Sequence, residues 1–376
     1  MGWFVQVVGT GLVLLAIADI YLTVLYPRGG RGVVSVPLNR VIWQIFRLSA
    51  SFIPKRGVDA QRLRVRDRLL SYMGPTLLVA TVAMWISLLI LGFALIFWPA
   101  LGNQIRMETG STPTDFATAI YYSGYALTTL GTGEITPQTS TYRLLMVLEA
   151  VIGFSVLTMT LTYFSSVYSH LIERNTFALS IHHRTAKTAD AAELLARIGA
   201  SGYFDGSARE DISNMAQKLL KIIESHHSYP TLGYFRWQEA YYALARITFI
   251  IMDTATLIRS ALSQEKYHSL VRSAAVRELE ESGMHFLGEL SDSFLPKRHH
   301  SDKAGLEEVW RDRYYRALDR LEAEGIETVM DREAGAEQYV CLRGKWNFYI
   351  VELSRYMGYK WSAIAPADCD PTYLQQ

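Results

Sequence analysis

Three apolar stretches, Phe4 to Tyr26, Leu77 to Pro99 and Leu144 to Ser169, dominate the first 170 residues of this 376-residue chain. Each has the roughly 20 residues an α-helix needs to cross the hydrocarbon core of a bilayer. In lipid the backbone must satisfy its own amides and carbonyls, so such stretches fold as helices. After residue 170 the strongest rival, 240–262, carries Arg246, Asp253 and Arg259, each costly at a bilayer centre. It reads as a core helix of a soluble region. The expected fold class is an all-α membrane protein with three transmembrane helices and an all-α C-terminal domain.

Charge sets an expected orientation. From Arg28 to Arg68 there are ten Lys or Arg against Asp59 and Asp67, a net of +8. The segment from Ala100 to Thr114 carries only Arg106 and Glu108. The positive-inside rule puts the basic loop in the cytoplasm, the N-terminus outside and the C-terminal domain inside. Arg62, Arg64, Arg66 and Arg68 then form a cytoplasmic surface for anionic lipid headgroups, or simply solvated positive-inside charge. Val33 to Phe52 is amphipathic enough to lie in the interface. The start Met1-Gly2-Trp3 lacks a basic n-region and a Ser or Thr near position 6, which argues against a cleaved leader and against myristoylation.

Between the second and third apolar stretches lies Thr128-Thr129-Leu130-Gly131-Thr132-Gly133-Glu134. Before it, Phe116 to Leu127 reads as a helix led in by Pro113-Thr114-Asp115, a capping residue and an acid in the first turn. That run is too short to span a bilayer and suits a re-entrant segment. Gly131 and Gly133 alternate with Leu130 and Thr132, and glycine tolerates the left-handed angles that let successive carbonyls point one way. Carbonyls so aligned can replace the water shell of a cation. In this reading the carbonyls of Thr129, Leu130, Gly131 and Thr132 line an ion path, and the Thr129 hydroxyl adds ligands at its inner mouth. Irregular backbone at membrane depth must be buried in protein or line a cavity, so one loop per chain calls for closed symmetric assembly.

This order of outer helix, re-entrant helix, loop and inner helix resembles the pore of the tetrameric potassium-channel superfamily. The form is the prokaryotic two-transmembrane pore-loop type with an extra N-terminal transmembrane helix. The family filter is usually written T-T-V-G-Y-G-D; here Leu130, Thr132 and Glu134 stand where valine, tyrosine and aspartate are usual. The resemblance covers residues 74–170. It implies a homotetramer, a bound permeant monovalent cation with potassium favoured at Thr129, Leu130, Gly131 and Thr132, and no other cofactor. Pro137 follows the loop where the family often has proline. Gly153, nineteen residues beyond Glu134, stands where family members carry a gating hinge. The filter tyrosine of the family ties its hydroxyl to the pore helix, which Thr132 is too short to do. Bracing then passes to water, Tyr122 or Tyr125, with Thr128 and Glu149 as further support of the filter. Glu134 would form a ring of acids at the outer mouth, or bond backbone groups behind the filter. Selectivity therefore stays open between potassium and weakly selective conduction.

Two acids lie inside apolar stretches, where ionisable groups face protein or a cavity. Glu149 has Tyr121, Tyr122 and Thr128 as candidate partners. Asp19 has a basic residue or a backbone group near the cytoplasmic end. Packing as a protonated or snorkelling acid is the plain alternative for both.

The chain thus divides into 1–27 (N-terminal helix), 28–73 (basic, interfacial), 74–170 (pore domain) and 171–376 (cytosolic regulatory domain). The last carries 25 Lys or Arg against 29 Asp or Glu, a net of −4, which is no nucleic-acid footprint. No dinucleotide loop, phosphate loop or nucleophile constellation occurs in it, so an enzyme is not indicated. No apolar segment has arginine at every third position, so a voltage sensor is not expected. Helices are expected from a capping box at Ser207-Glu210, at about 235–262, at about 267–282 and at about 303–324, while 340–356 is helix or strand plus helix. The pairs His182-His183, His226-His227 and His299-His300 are either pH sensors, metal ligands or solvated side chains. Tyr234 to Tyr242 and Trp346 to Tyr359 are places for an unidentified cytosolic ligand, or simply core. Cys341 and Cys369 make neither a disulfide framework nor a zinc site. The expected location is the bacterial inner membrane, with ion conduction set against a non-conducting, membrane-tethered ligand-binding or signalling role.

Overall fold

The computed structural model describes residues 2–26, 32–52, 60–294 and 306–366. It forms two compact units, Met1–Ser169 with His226–Phe235, and His170–Ser225 with Arg236–Gln376.

In the first unit, helix α1 (Gly2–Ile20) continues into a π-helical turn, Tyr21–Leu25. Helices α2 (Ser35–Ser51) and α3 (Ala60–Ser71) lead into α4 (Met73–Phe97). Strand β1 (Ile105–Met107), helix α5 (Phe116–Leu127) and strand β2 (Ile135–Pro137) follow. Helix α6 then runs without a break from Ser140 to Arg184, its residues from His170 onward grouping with the second unit. Three helical runs, Gly2–Leu25, Val65–Ala100 and Ser140–Arg184, are long and apolar enough to cross a membrane. The protein is an integral membrane protein, and the three expected stretches supply these helices.

Helix α1 lies along α4 through small residues: a Cβ on Gly9 would come within 2.5 Å of the Gly92 carbonyl oxygen. Without a hydrophobic drive between helices in lipid, this close backbone approach supplies the packing energy. Near the same end of α4, Phe97 meets Tyr122 of α5 edge to face at 5.0 Å between ring centroids. Strand β1 pairs antiparallel with β2, Arg106 opposite Thr136, and ties the lead-in of α5 to the chain leaving the loop. The sequence shows no sign of this ladder, because three residues are too few to display alternation.

Asp19 is fully buried and joins three elements. One carboxylate oxygen accepts from the backbone amides of Val34 (2.7 Å) and Ser35 (3.2 Å), which open α2. The other accepts from the Trp85 indole of α4 at 2.7 Å. Asp19 is therefore the cap of a helix that begins sixteen residues away, serving amides that a helix start leaves without partners. Of the sequence alternatives, the backbone partner is the one realised. Asp19→Ala is expected to leave two buried donors and the half-buried Val34 amide unsatisfied, at about 1–3 kcal/mol for each buried one. Hydrogen exchange at Val34 and Ser35 should accelerate by more than tenfold in the variant, and unchanged exchange would show that α2 is held by other means.

The α-helices of the second unit, among its described residues, are the end of α6, α7 (Ala191–Ile198), α8 (Gly206–Ser228, its last three residues grouping with the first unit), α9 (Leu244–Ser260), α10 (His268–Val271), α11 (Ala274–Phe294), α12 (Leu306–Ala323) and α13 (Arg332–Met357), with an isolated β-bridge between Leu262 and Thr328. Helix α9 is buried on nearly all sides and is flanked by α7, α11 and α13. The apolar stretch that rivalled the membrane helices is thus the centre of this unit.

Boundaries differ from the sequence reading in several places. Helix α8 begins at Gly206, and its cap is Asp205, which accepts from the amides of Ser207 and Ala208; Ser207 itself lies inside the helix. Residues 235–243 are not part of a long helix. They follow a 3₁₀ turn, Pro230–Tyr234, and include another at Ala240–Tyr242. The expected helix at 267–282 is broken near Ser273 into α10 and the longer α11. The region 340–356 is helix alone, within α13. The described part of the 303–324 helix is α12.

Candidate functional site

Helix α5 spans the residues expected of it, and its start explains why. Asp115 is the N-cap, accepting from the Thr118 amide at 3.0 Å and the Thr118 hydroxyl at 3.0 Å. These bonds hold the Asp115 carboxyl below its ordinary range. Of the Pro113-Thr114-Asp115 lead-in, Asp115 is thus the capping residue.

The helix ends at Thr128, whose hydroxyl bonds back to the Gly124 carbonyl at 2.7 Å. The amides of Thr129 and Leu130 also bond back, to Ala126 and Tyr125. From there the backbone alternates in hand. Thr129, Gly131 and Gly133 have φ of 56°, 62° and 73°, while Leu130 and Thr132 stay on the negative side. Left- and right-handed residues thus take turns along the loop. Glycine at 131 and 133 makes two of the three left-handed positions inexpensive. Thr129 carries its left-handed angle despite a β-branched side chain, which the sequence reading did not foresee. Within the chain, residues 128–134 are exposed, with Leu130 at 72%.

Side chains around the loop sort into distinct roles. The Tyr125 hydroxyl donates to the Ile135 carbonyl, fastening the chain just beyond Glu134 to α5. Tyr122 packs against Phe97 and Tyr125, and its hydroxyl has no hydrogen-bond partner among the described residues. Glu134 is exposed and accepts from the Tyr121 hydroxyl at 3.2 Å, so its partner is a side chain rather than backbone behind the loop.

Glu149 is fully buried, and its partner is Ser123, which donates its hydroxyl to one carboxylate oxygen. Tyr121, Tyr122 and Thr128, the partners considered from sequence, do not bond it. Ser123 also lies within reach of the Ile90 carbonyl at 3.1 Å. Four residues further along each helix, the Leu127 carbonyl meets Gly153. A Cβ on Gly153 would lie 2.0 Å from that oxygen. Pairs 123/149 and 127/153 share one helix-to-helix contact because residues four apart stack on one helical face. Here Gly153 admits a backbone carbonyl, and α6 passes through it as continuous helix. Gly153→Ala is expected to push α5 off α6 and to cost about 1–3 kcal/mol, the usual penalty of overpacking. A lower thermal unfolding midpoint in detergent checks this, and an unchanged midpoint would mean that the contact yields freely.

The remaining sequence candidates are not drawn into this site. Among the described residues there is no group of three His, Cys, Asp or Glu that could hold a metal. His182 stacks on Tyr241 at 4.4 Å, His226 and His227 end α8, and His299-His300 lies outside the described residues. The two aromatic stretches meet each other in the second unit: the Tyr359 hydroxyl bonds to the backbone of Trp237, and Arg236 lies over the Tyr359 ring at 4.2 Å. Arg68 is exposed on α3 and Arg66 half-buried, while the side chains of Arg62 and Arg64 lie outside the described residues. Cys341 is exposed on α13, and Cys369 is outside the described residues. Ser123, and the pairing of Tyr121 with Glu134 instead of Glu149, went unseen in the sequence because nothing there marks which face of a twelve-residue helix meets α6.

Comparison with known proteins bears on the same stretch. Residues 80–170, from within α4 through α5 and the loop to the end of the apolar part of α6, match the family model described as an ion channel. A protein of Bacillus subtilis (strain 168), described as the uncharacterized membrane protein YdjJ, is 25% identical over 295 residues, covering 76% of this chain and 78% of its own. No solved structure matches.

Proposed function

With residues 80–170 matching the ion-channel family, we propose that this protein is a homotetrameric cation channel that conducts potassium through the backbone of Thr129 to Gly133. The observation that carries the reading is the alternating sign of φ across Thr129, Leu130, Gly131, Thr132 and Gly133 at the C-terminal end of a helix too short to span a bilayer. Carbonyls on one side of such a loop can ligate a dehydrated cation. The Thr129 hydroxyl supplies the innermost ligands, and Glu134 of each subunit sits at the outer mouth, its carboxylate oriented by Tyr121.

Assembly follows from what a single chain leaves open. On α6, Leu144, Val147, Val151, Phe154 and Leu161 form an exposed apolar face, turned away from the buried Glu149, Val156, Tyr163 and Val167. Four such faces, with four loops around one axis, would give the irregular backbone the protein surroundings it needs at membrane depth. The N-terminus then lies outside and the second unit in the cytoplasm of a bacterial inner membrane, as the basic loop 28–68 directs. In this reading the cytosolic unit controls the inner helices in response to an unidentified ligand.

Thr132 favours a second reading on selectivity. It is exposed, and its hydroxyl makes no hydrogen bond to another described residue of the chain. Tyr125, which anchors Ile135, is the brace nearest the loop. A loop held from that side alone would suit weakly selective sodium and potassium conduction. The test is the reversal potential of purified protein in planar bilayers with potassium on one side and sodium on the other. Reversal close to the potassium equilibrium potential is expected. Reversal near zero would replace potassium selectivity with weak selectivity. Absence of current under all conditions would overturn the channel and favour a membrane-tethered ligand-binding or signalling protein.

A further inference from the structure

Ten residues of the C-terminal region, His226–Phe235, belong to the membrane unit rather than to the helices on either side of them in sequence. Their turn, Pro230–Tyr234, follows the end of α8 and precedes the irregular stretch before α9. Thr231, Leu232 and Phe235 are all buried, Leu232 almost completely.

The segment is held by named contacts to three helices. The hydroxyls of Thr231 and Tyr163 of α6 are 3.0 Å apart in a buried hydrogen bond. Tyr229 packs beside the same Tyr163 ring at 5.8 Å. The Phe235 ring meets Tyr168 of α6 edge to face at 6.1 Å. On its other side it lies on the backbone of α4 at Gly74, where a Cβ would come within 2.7 Å of the ring. Tyr234 meets Trp43 of the amphipathic helix α2 at 6.3 Å. Tyrosines and a tryptophan gathered in this way suit the membrane–water interface, where one end of the side chain is apolar and the other wet.

On α6 the buried residues Glu149, Val156, Thr160, Tyr163 and Val167 recur at spacings of three, four or seven, so they share one face. That face meets α5 beside the loop at Glu149 and Gly153, and meets the 226–235 segment at Tyr163. The exposed apolar face of α6 lies on the opposite side. One continuous helix therefore carries both contacts.

We propose that residues 229–235 are a wedge between α4 and α6 that holds the inner helix toward the channel axis, so that its seated position favours the closed pore. This rests on the channel reading above, in which the opposite face of α6 looks toward the axis. The wedge is continuous at both ends with helices of the second unit, α8 before it and α9 after it. Withdrawal of Phe235 and Thr231 by a rearrangement of those helices frees α6 to lean outward against α4. The second unit thereby acts on the pore through ten residues of its own chain.

Two readouts in the full-length protein test this. Single-channel recording in planar bilayers compares wild type with Tyr163→Phe, Thr231→Val and the double variant. Each single change is expected to raise open probability by about threefold or more, and the double variant to add little, because both remove one hydrogen bond. Unchanged or lowered open probability, or effects that simply multiply, would overturn the wedge. The second readout needs no current. With Cys341 and Cys369 replaced by serine, Thr231→Cys is expected to react slowly with a water-soluble thiol reagent, and at least tenfold faster once Gly74→Val displaces Phe235. Fast labelling without the Gly74 change would show that the segment is not seated. A channel reading that fails leaves the labelling result standing, while a wedge that fails leaves the wild-type current intact.

Discussion

Gly131→Ala is expected to abolish ion flow while leaving the protein folded and assembled. Gly131 has φ of 62°, and a Cβ there would meet nothing within its chain nearer than the Thr129 carbonyl oxygen at 3.9 Å. The penalty is thus conformational rather than steric. An L-residue in the left-handed region costs roughly 1–2 kcal/mol, and the proposed tetramer would carry the strain four times, about 4–8 kcal/mol in all. Relief comes by turning the peptide plane, which moves a carbonyl out of the ion path. Since about 1.4 kcal/mol is a factor of ten, even the lower figure removes more than 99% of the conducting state. Bilayer recording of the purified variant checks the loss, and size measurement in detergent checks assembly. Wild-type current from a folded variant would place the ion path elsewhere in the chain.

The second large effect is expected far from the loop, at Asp253 in the middle of α9. Asp253 and Arg343 are fully buried and Arg313 nearly so. The carboxylate lies 3.4 Å from the Arg313 guanidinium of α12 and 3.6 Å from that of Arg343 on α13, and it accepts from the Tyr339 hydroxyl. Asp190, the cap of α7, is the second acid of the cluster and pairs with Arg313. The Arg343 guanidinium lies 5.2 Å from the Phe249 ring, 5.5 Å from Trp346 and 5.6 Å from Trp310, so aromatic faces share its charge. A buried ion pair is weak evidence of net stability, but removing one partner strands the other charge away from water. Asp253→Ala should therefore destabilise the second unit by about 3–5 kcal/mol. Trp310 and Trp346 report on it directly through fluorescence during thermal unfolding. A midpoint equal to that of the wild type would mean that Asp190 suffices to hold Arg313 and the aromatic rings to hold Arg343.

Much of the membrane unit was legible because its constraints are one-dimensional. Lipid demands about 20 apolar residues per crossing, and the chain supplies that length three times. Helix α5 was readable at both ends, since Asp115 caps one and the threonine–glycine loop stops the other. The alternate-handed backbone was readable at Gly131 and Gly133, because glycine marks where the chain leaves right-handed space. It was not readable at Thr129, which carries the same sign of φ with no compositional mark.

Partners were less visible than elements. Asp19 stood out as an acid in an apolar helix, yet nothing in the chain connects it to Val34, Ser35 and Trp85. Glu149 stood out in the same way, and the candidates on α5 were nearly right. The serine that binds it lies one residue from Tyr122, rotated by about 100° around a helix of 3.6 residues per turn. Helix ends in the second unit slipped where two caps competed. Asp205 takes the amides that Ser207 was expected to take, and the residues after Pro230 follow their packing in the membrane unit instead of helix periodicity.

By itself the sequence determined which segments enter the membrane, where the short helix and its glycine loop fall, and that the remainder is helical. Those follow from length, hydropathy and backbone tolerance, which act along the chain. Only the tertiary structure decided that Asp19 caps a distant helix, that Glu149 meets Ser123, that Gly153 admits a carbonyl, and that residues 226–235 leave their neighbours to pack on α2, α4 and α6. Each is a meeting of groups far apart in sequence, set by which faces of rigid helices oppose one another, and helical periodicity names a face without naming its partner.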